Sequence, residues 1–421
     1  MRATIPPDLD EQLVSAAYYQ DPYPYYDRLR SEAPVAWSET LGAWVLTRYD
    51  DVQATLHDPR RFSSHGRLSA ALERFSPDVR AQFKPLEDHF GIGLIGSDPP
   101  HHTRLRALIN KAFVPRLIEQ MRPRLQALID ELLDAVVPSG SMDVVADLAY
   151  PLPATVIAVL LGAPPSARES FKRWSSGILA FQGSGVVSAE IIDHAQRHLL
   201  DMRMFLAELI AERRSRPRDD LLSHLVEAEM DGDRLSTAEL LTIGVTMLTA
   251  GHETTTTLIG NALYTLLRHP DQLERLRREP ALMPTAIEEV LRFEGPLQRN
   301  PRRAAVDLAI GGQQLKQHDY LLPLLGAANR DPAVFDQPAR FDIARHPNRH
   351  LAFGMGIHFC VGAPLARLEG QLALNALVRR LPNLRLAAPV EWEPHNLFRQ
   401  LRALPVAFDV PNPAMAGVEA P

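Results

Sequence analysis

The chain has a single cysteine, Cys360, in a setting suited to holding a metal through a thiolate. It lies in Phe-Gly-Met-Gly-Ile-His-Phe-Cys-Val-Gly, residues 353–362. The glycines permit a tightly turning loop whose backbone can approach a flat ligand. A helix-forming stretch, Ala363 to Arg380, follows the loop, and a helix N-terminus is expected to lower the pKa of an adjacent thiol. The pattern therefore predicts an anionic sulfur ligand.

Simpler roles for this cysteine must be weighed. One cysteine forms no intramolecular disulfide, and structural zinc sites normally need two or more thiolates. A lone cysteine is most often an inert buried side chain. A cysteine hydrolase is disfavoured, because a histidine two positions away does not generally converge on the thiol as its base. The ligand interpretation is favoured because six positions in ten residues form one pattern, namely Phe353, Gly354, Gly356, His358, Cys360 and Gly362.

These six residues resemble the haem-binding loop of the cytochrome P450 family, and Ala366-Arg367 resemble its continuation. The resemblance runs from about Asp21 to Phe408. It implies a mostly α-helical unit with a long central oxygen-binding helix and small β-sheets. It also implies that Cys360 is the axial thiolate of haem b, iron protoporphyrin IX. Such a ligand favours cleavage of an O–O bond.

A second unusual pattern lies midway along the longest helical stretch, where residues 250–257 read Ala-Gly-His-Glu-Thr-Thr-Thr-Thr. Four threonines after a glycine are poor helix formers, because β-branching and side-chain hydrogen bonds weaken the helix. Sequence that opposes its own secondary structure often marks a functional site. Taken alone, a helix that bends to fit its neighbours explains the pattern equally well.

The resemblance covers this segment as well. It implies that Ala250 and Gly251 lie beside the haem and that Thr254 is the alcohol that hydrogen-bonds dioxygen. Glu253 is implied to be the acid that relays protons from water, a task for positioned acids and hydroxyls. We interpret His252 as a structural residue facing away from the haem.

Glu289 and Arg292 are three positions apart and are expected to meet on one helix face. Taken alone, they form an ordinary surface ion pair of small energy. Pro-Ala-Arg-Phe at 338–341 resembles the family's later arginine motif. The resemblance therefore implies a structural cluster of Glu289, Arg292 and Arg340 that fixes the segment beneath the haem loop.

Two haem propionates need cationic or hydrogen-bonding partners, since buried carboxylates without partners are costly. The resemblance carries over to His102 and Arg106, four apart on one helical face, and to Arg302 and His358. Arg303 competes with Arg302 for its place. Each of these residues alone is equally consistent with a solvated surface charge.

Composition limits the possible classes of protein. The 421 residues show no linker-like stretch, so we expect one domain over 1–421, with a core at about 21–408 and a disordered tail at 411–421. The net charge is −6 and the pI near 6.2, which argues against nucleic acid as a partner. The N-terminus lacks an apolar core, and the uncharged run 148–166 contains prolines that favour a buried core helix. A cytoplasmic, monomeric protein without a membrane segment is expected.

The coarse secondary structure is mainly helical. A short hairpin is predicted at 35–47, and further β-structure at about 304–324 and 384–410. Proline, glycine and capping signals delimit the predicted helices, which cover 103–137, 167–182, 189–215, 219–230, 236–268, 271–278, 281–294 and 363–380.

The resemblance implies a haem-thiolate monooxygenase of the bacterial type, which uses dioxygen and two external electrons to hydroxylate or epoxidise a medium-to-large apolar molecule. The 421 residues show no flavin- or ferredoxin-like segment, so a separate ferredoxin or flavodoxin with an NAD(P)H-dependent reductase is expected. Arg349 and Arg367 could attract such an acidic donor, although Arg367 could instead be paired internally. A peroxide-driven peroxygenase and a non-catalytic haem sensor stay open as alternatives.

The sequence indicates the chemical class of the substrate but not its identity. The family's pocket segments are chiefly apolar in this chain, which leaves a terpenoid, steroid, fatty acid or macrolide precursor open. Phe181 with Gly183-Ser-Gly185 suggests a mobile lid, but a plain interhelical loop fits equally well. The substrate contacts predicted from these segments are Ile95, Phe181, Met247, Leu297 and Phe398.

Overall fold

A computed structural model describes residues 2–67, 72–73, 75–113, 115–183, 188–230 and 232–410. The tail predicted at 411–421 and two residues of the predicted lid, Ser184 and Gly185, lie outside these ranges. None of the helices in the described ranges combines the length and apolarity that a membrane crossing requires.

Helices dominate the described chain. In chain order, the α-helices are α1 (Pro7–Asp10), α2 (Ala16–Gln20), α3 (Tyr23–Glu32), α4 (Tyr49–His57), α5 (Pro77–Gln82), α6 (Lys84–Ile92), α7 (His101–Ala112), α8 (Pro115–Val136), α9 (Pro151–Leu160), α10 (Arg168–Gly183), α11 (Ala189–Ser215), α12 (Leu221–Glu227), α13 (Thr237–Arg268), α14 (Pro270–Arg278), α15 (Met283–Phe293), α16 (Leu325–Ala328) and α17 (Ala363–Arg380).

The strands are short and lie in small sheets. The largest sheet has the order β1-β2-β10-β7-β3, a second has β11-β12-β4, and β5-β6 and β8-β9 form two-stranded pairs. Their bounds are β1 (Val35–Ser38), β2 (Ala43–Leu46), β3 (Phe62–Ser63), β4 (Ser141–Asp143), β5 (Glu229–Met230), β6 (Asp233–Arg234), β7 (Arg302–Ala304), β8 (Leu308–Ile310), β9 (Gln313–Leu315), β10 (Tyr320–Pro323), β11 (Arg385–Leu386) and β12 (Pro405–Ala407). The predicted mostly helical fold with small sheets is confirmed.

The long helix α13 crosses the main apolar core and packs against α9, α11, α15 and α17. Its start is the predicted capping box: the Glu239 amide donates to Ser236 Oγ at 3.2 Å, and the Ser236 amide donates to Glu239 Oε2 at 2.8 Å. At 1.5 Å per residue, the helix is about 48 Å long. Helix α9 forms within the uncharged run 148–166, and most of its residues are buried, as predicted.

Two predicted helices differ from the structure. The stretch expected as one helix at 103–137 is divided into α7 and α8, because Phe113 leaves the helical region (φ −95°, ψ 73°) and Pro115 begins a new helix. The helix expected at 219–230 ends at Glu227, and Glu229–Met230 pairs instead with Asp233–Arg234. Gly232, at φ +81°, permits the turn between those strands.

Candidate active site

The loop that carries Cys360 runs from the end of the sheet region into α17. The Cys360 amide donates to the Phe353 carbonyl at 3.0 Å, which closes the loop on itself. Gly354 and Gly356 have φ values of +70° and +68°, and a Cβ on Gly356 would lie 2.9 Å from the Leu56 carbonyl oxygen. Gly362 differs: its φ is −80°, and it precedes the first residue of α17. Two of the three predicted glycines are therefore required by backbone conformation.

The Cys360 thiol faces an internal cavity, and its pKa differs from the expectation. Burial raises the pKa above the ordinary thiol value, although the amides of Gly362 and Ala363 and the Arg106 guanidinium act to lower it. The helix N-terminus is thus present as expected, but the loss of hydration outweighs it in the protein alone. A bound metal cation would be the charge that makes this sulfur a thiolate.

Across the cavity, α13 brings Ala250, Gly251 and Thr254 to the wall. The Thr254 hydroxyl donates to the Ala250 carbonyl at 2.8 Å. Thr255 and Thr257 make the same bond four residues back, so three of the four threonines satisfy their hydroxyls without breaking the helix, whereas the buried Thr256 hydroxyl has no partner among the described residues. The wall thus presents a hydroxyl oxygen opposite the cysteine sulfur.

Glu253 lies on a different face of α13, outside the residues that line the cavity. Its Oε1 accepts from Gln400 at 3.4 Å, and its Oε2 lies 3.1 Å from His252 Nε2. Burial opposes ionisation of this carboxyl, but the neighbouring His252 and Gln400 outweigh it, so the pKa is lowered. Among the described residues, no hydrogen bond joins the Glu253 carboxylate to the Thr254 hydroxyl.

Two arginines and two histidines lie together at one side of the cysteine loop, and we call them the cationic group after the charge of the two arginines. The rings of His102 and His358 are 4.4 Å apart, and Arg302 and Arg67 are buried beside them. All four carry buried nitrogens that have no hydrogen-bond partner among the described residues, namely both nitrogens of His102, His358 Nε2, Arg302 Nη2 and Arg67 Nε. Burial and the mutual repulsion of these groups lower the pKa of His358 to about 2. Donors without acceptors at this density fit a ligand that carries carboxylates, as haem does.

The side chains of Arg302 and its competitor Arg303 have different neighbours. Arg302 is 1% exposed, and its guanidinium lowers the pKa of His358. The Arg303 Nη2 donates to Glu73 at 2.7 Å, so its charge is already paired. Arg106, by contrast, donates to the Phe359 carbonyl at 2.7 Å, directly beside Cys360.

The cluster expected around Glu289 differs in one member. Glu289 is fully buried and accepts from Arg292 at 2.8 Å through each of its carboxylate oxygens. The second arginine side chain on Glu289 is Arg345, at 3.1 Å, and not Arg340. Arg340 contributes only its backbone carbonyl, which accepts from Arg292 and Arg345. The spacing of the motif placed the segment correctly but assigned the wrong side chain.

Arg367 is not free to attract a redox donor. Its guanidinium forms two bonds with Glu288, at 2.7 and 2.8 Å, and lies 4.5 Å from the centre of the Phe353 ring. His350 Nε2 lies 3.0 Å from the same Glu288 carboxylate. The internal pairing considered for Arg367 is therefore the one that the structure shows. Arg349 is exposed.

The cavity has a volume of about 790 Å³ and extends from Cys360 to the distal helices. Its walls are largely apolar. Phe90 and Phe181 both line it, and their rings stack on each other with centroids 5.9 Å apart. Every residue that the sequence predicted to contact substrate lies on these walls, namely Ile95, Phe181, Met247, Leu297 and Phe398.

Two residues with functional potential were missed from the sequence. Arg67 joins the cationic group and donates to Asn300 and to the Pro301 carbonyl. Glu369 on α17 is 0% exposed and borders the cavity, with no hydrogen-bond partner for either carboxylate oxygen among the described residues. Burial raises its pKa well above the ordinary value. Glu369 gave no sequence signal, because a glutamate in a helix is usually a surface residue.

The fold and the site together define a haem-thiolate protein of the mostly helical class. A sequence model described as Cytochrome P450 matches residues 65–386. The chain belongs to the cytochrome P450 family, whose members hold haem through an axial cysteine thiolate. It is a monooxygenase of the bacterial type.

Individual relatives support the assignment over nearly the whole chain. Cytochrome P450 107B1 of Saccharopolyspora erythraea is 42% identical over 400 residues, covering 93% of this chain and 96% of that protein. The 6-deoxyerythronolide B hydroxylase of the same organism is 42% identical over 412 residues, covering 96% and 100%. The crystal structure of P450BioI in complex with hexadec-9Z-enoic acid ligated acyl carrier protein has a TM-score of 0.87 at 36% identity, covering 94% and 99%.

Proposed function

We propose that this chain hydroxylates or epoxidises a medium-to-large apolar molecule of the macrolide or polyketide type. The observation that carries the proposal is the cavity with largely apolar walls that both Cys360 and Thr254 line; its volume of about 790 Å³ includes the space that haem would fill. A cavity bounded in this way can hold an apolar molecule next to the cofactor and exclude water.

The relatives favour this substrate class over the other apolar classes. One relative that aligns with 96% of the chain is named for hydroxylation of 6-deoxyerythronolide B. Fatty acyl chains and steroids are the competing classes, and both appear in the titles of similar structures. The walls offer apolar contacts to all three, so the choice rests on the closer sequence agreement with the hydroxylase.

Residues of this chain would hold haem in two ways. Cys360 would bind the iron, with Phe353 and Gly354 in the same loop and with Ala250 and Gly251 on the opposite wall. The propionates would accept hydrogen bonds from the cationic group described above. When bound, haem supplies the activation of dioxygen. We assign this anchoring role to His102, Arg106, Arg302 and His358, and we add Arg67 to it.

The remaining residues have roles in proton delivery and in structure. Thr254 would hold a proton at its hydroxyl close to the reacting oxygen, and Glu253 would resupply protons from its side of α13. Glu289, Arg292 and Arg345 would hold the segment beneath the cysteine loop rigid. The Arg340 side chain takes no part in this proposal.

Two electrons would come from a separate ferredoxin or flavodoxin with an NAD(P)H-dependent reductase. The exposed Arg349 supports an acidic partner, because opposite charge accelerates association. Removing its charge is expected to lower the affinity for the donor and flatten the salt dependence. One domain over 1–421, a cytoplasmic location and a monomeric state stay predictions, and gel filtration of the holoprotein tests the last of them.

The proposal is tested by titrating the holoprotein with 6-deoxyerythronolide B, palmitoleic acid and testosterone and recording the spin state of the haem. Ligands that bind are then incubated with dioxygen, NAD(P)H and a ferredoxin or flavodoxin system. Binding and oxygen insertion that favour the macrolactone are expected. Preference for the acid or the steroid would overturn the substrate class, and turnover with hydrogen peroxide alone would establish the peroxygenase alternative.

A further inference from the structure

We propose that His89 is a hydrogen-bond donor that selects substrates carrying an acceptor oxygen at the end remote from the oxidised carbon. This inference rests on the proposed function, since it specifies the substrate of the same cavity. His89 contributes a fixed polar contact where the surrounding wall is apolar.

His89 is held firmly at the cavity wall. It lies on α6, borders the cavity and is only 3% exposed. The chain just after it packs directly on α13, where a Cβ on Gly93 would lie 2.8 Å from Thr242 Cγ2. The ring of the adjacent Phe90 stacks on Phe181. The imidazole therefore has little freedom to turn away from its position.

The neighbours of His89 determine which nitrogen carries the proton. Arg203 Nη1 lies 3.3 Å from His89 Nδ1, and an arginine can only donate. Nδ1 must then be the acceptor, so a neutral ring carries its proton on Nε2. The Thr242 hydroxyl, 3.5 Å from the same nitrogen, donates instead to the Ala238 carbonyl at 2.9 Å.

Protonation does not change this assignment at ordinary pH. Burial, together with the nearby Arg203 charge, lowers the pKa of His89 to about 3. The ring is therefore neutral, and its Nε2–H is a permanent donor. Arg203 acts behind the ring as a positioning residue, because it does not line the cavity itself.

The donor has no protein acceptor. Among the described residues Nε2 of His89 has no hydrogen-bond partner, and it is not sealed from the cavity as the nitrogens of His102 are. A donor in an apolar wall is unfavourable when a ligand covers it without offering an acceptor. A ketone, ester or ether oxygen would satisfy it, whereas a hydrocarbon of the same shape would not.

The position of His89 also sets the shape of the substrate. Thr242, which touches His89, and Thr254, beside the reaction centre, are twelve residues apart on α13. That separation corresponds to about 18 Å along the helix axis. The acceptor oxygen is thus expected far from the carbon that is oxidised, in a large or elongated molecule.

The test compares two ligands of nearly equal shape, 2-tridecanone and 2-methyl-1-tridecene, in which CH2 replaces the carbonyl oxygen. Their dissociation constants are measured on the holoprotein from the haem absorbance. The ketone-to-alkene affinity ratio of each protein is divided by the ratio of His89→Phe, which cancels the different hydrophobicity of the two ligands. This normalised ratio is expected to be about three to ten for the wild type, the range of one neutral hydrogen bond, and Arg203→Met should reduce it by freeing the tautomer.

Two further variants keep the result interpretable. His89→Gln retains a donor and should keep the ratio above one, which shows that a hydrogen bond and not the ring shape is responsible. Phe398→Leu, on the cavity wall but not among the residues that hold His89, should weaken both ligands equally and leave the ratio unchanged. An equal ketone-to-alkene ratio in the wild type and in His89→Phe overturns the inference. The measurement needs neither dioxygen nor electrons, so a failure of oxygen insertion would count against the proposed function alone.

Discussion

The Thr254 hydroxyl donates to the carbonyl of Ala250, 2.8 Å away and one turn earlier on α13. The hydroxyl proton is thus held by the backbone, while the hydroxyl oxygen still has acceptor capacity toward the cavity. A helix that satisfies the hydroxyl in this way keeps it in one orientation. The Thr254 hydroxyl oxygen is therefore a polar atom held in a fixed position on an otherwise largely apolar cavity wall.

Replacement of Thr254 by alanine should uncouple electron consumption from product formation. The change removes the hydroxyl that we propose to hold a proton, so product per NAD(P)H is expected to fall about tenfold or more. Haem content should be unchanged, because the Thr254 hydroxyl is bonded to the Ala250 carbonyl of its own helix. The measurement is the ratio of product to NAD(P)H consumed, with Thr254→Ser as the control that restores it. Equal coupling in the alanine variant would remove Thr254 from the proton path.

The Glu289 cluster predicts different costs for two nearby arginines. Arg345→Ala removes a side chain that pairs with fully buried Glu289 and should lower the free energy of unfolding by about 1–3 kcal/mol, with Arg292 still in place. Arg340→Ala keeps the backbone carbonyl that is used and should change stability by less than about 0.5 kcal/mol. Urea unfolding of both variants checks the order. A larger loss for Arg340→Ala would restore the arrangement expected from the sequence motif.

The Glu288 carboxyl predicts a loss of stability in acid. Burial opposes its ionisation, but Arg367 and His350 outweigh burial and lower its pKa to about 2. Because the folded pKa is depressed, the contribution is complete above the ordinary value near 4.5 and is lost as pH falls toward 2. Partial exposure and screening reduce it to about 1–2 kcal/mol. Thermal midpoints of the wild type and Glu288→Gln should therefore converge as pH falls from about 4.5 to about 2, and a constant gap would contradict the pairing.

Much of the fold was predictable because local signals agreed with the tertiary structure. The capping box at Ser236 and the glycine-rich loop each determine backbone geometry within a few residues. The break between α7 and α8 was missed, although Pro115 signals it, because apolar periodicity continues across the junction. Strand β5 was missed because two residues of strand are too short to leave a period.

The site was predictable where short motifs carry it and unpredictable where distant residues meet. Cys360 and Thr254 sit in dense patterns, and the structure places both on one cavity. Arg345 replaces Arg340 on Glu289 because side-chain reach across a loop is set by packing and not by spacing. The thiol pKa of Cys360 was expected to be lowered, but burial reverses the effect of the helix N-terminus. Burial is a tertiary property that no local pattern encodes.

The most direct test of the account concerns the bond between Cys360 and iron. The reduced carbon monoxide complex of the wild type should show the absorption band characteristic of a thiolate opposite the bound gas. Cys360→His, which offers a nitrogen ligand from the same loop, should still take up haem but should lose that band and the monooxygenase activity. A wild-type complex with the spectrum of nitrogen ligation, or a histidine variant that retains the thiolate band, would contradict the central claim.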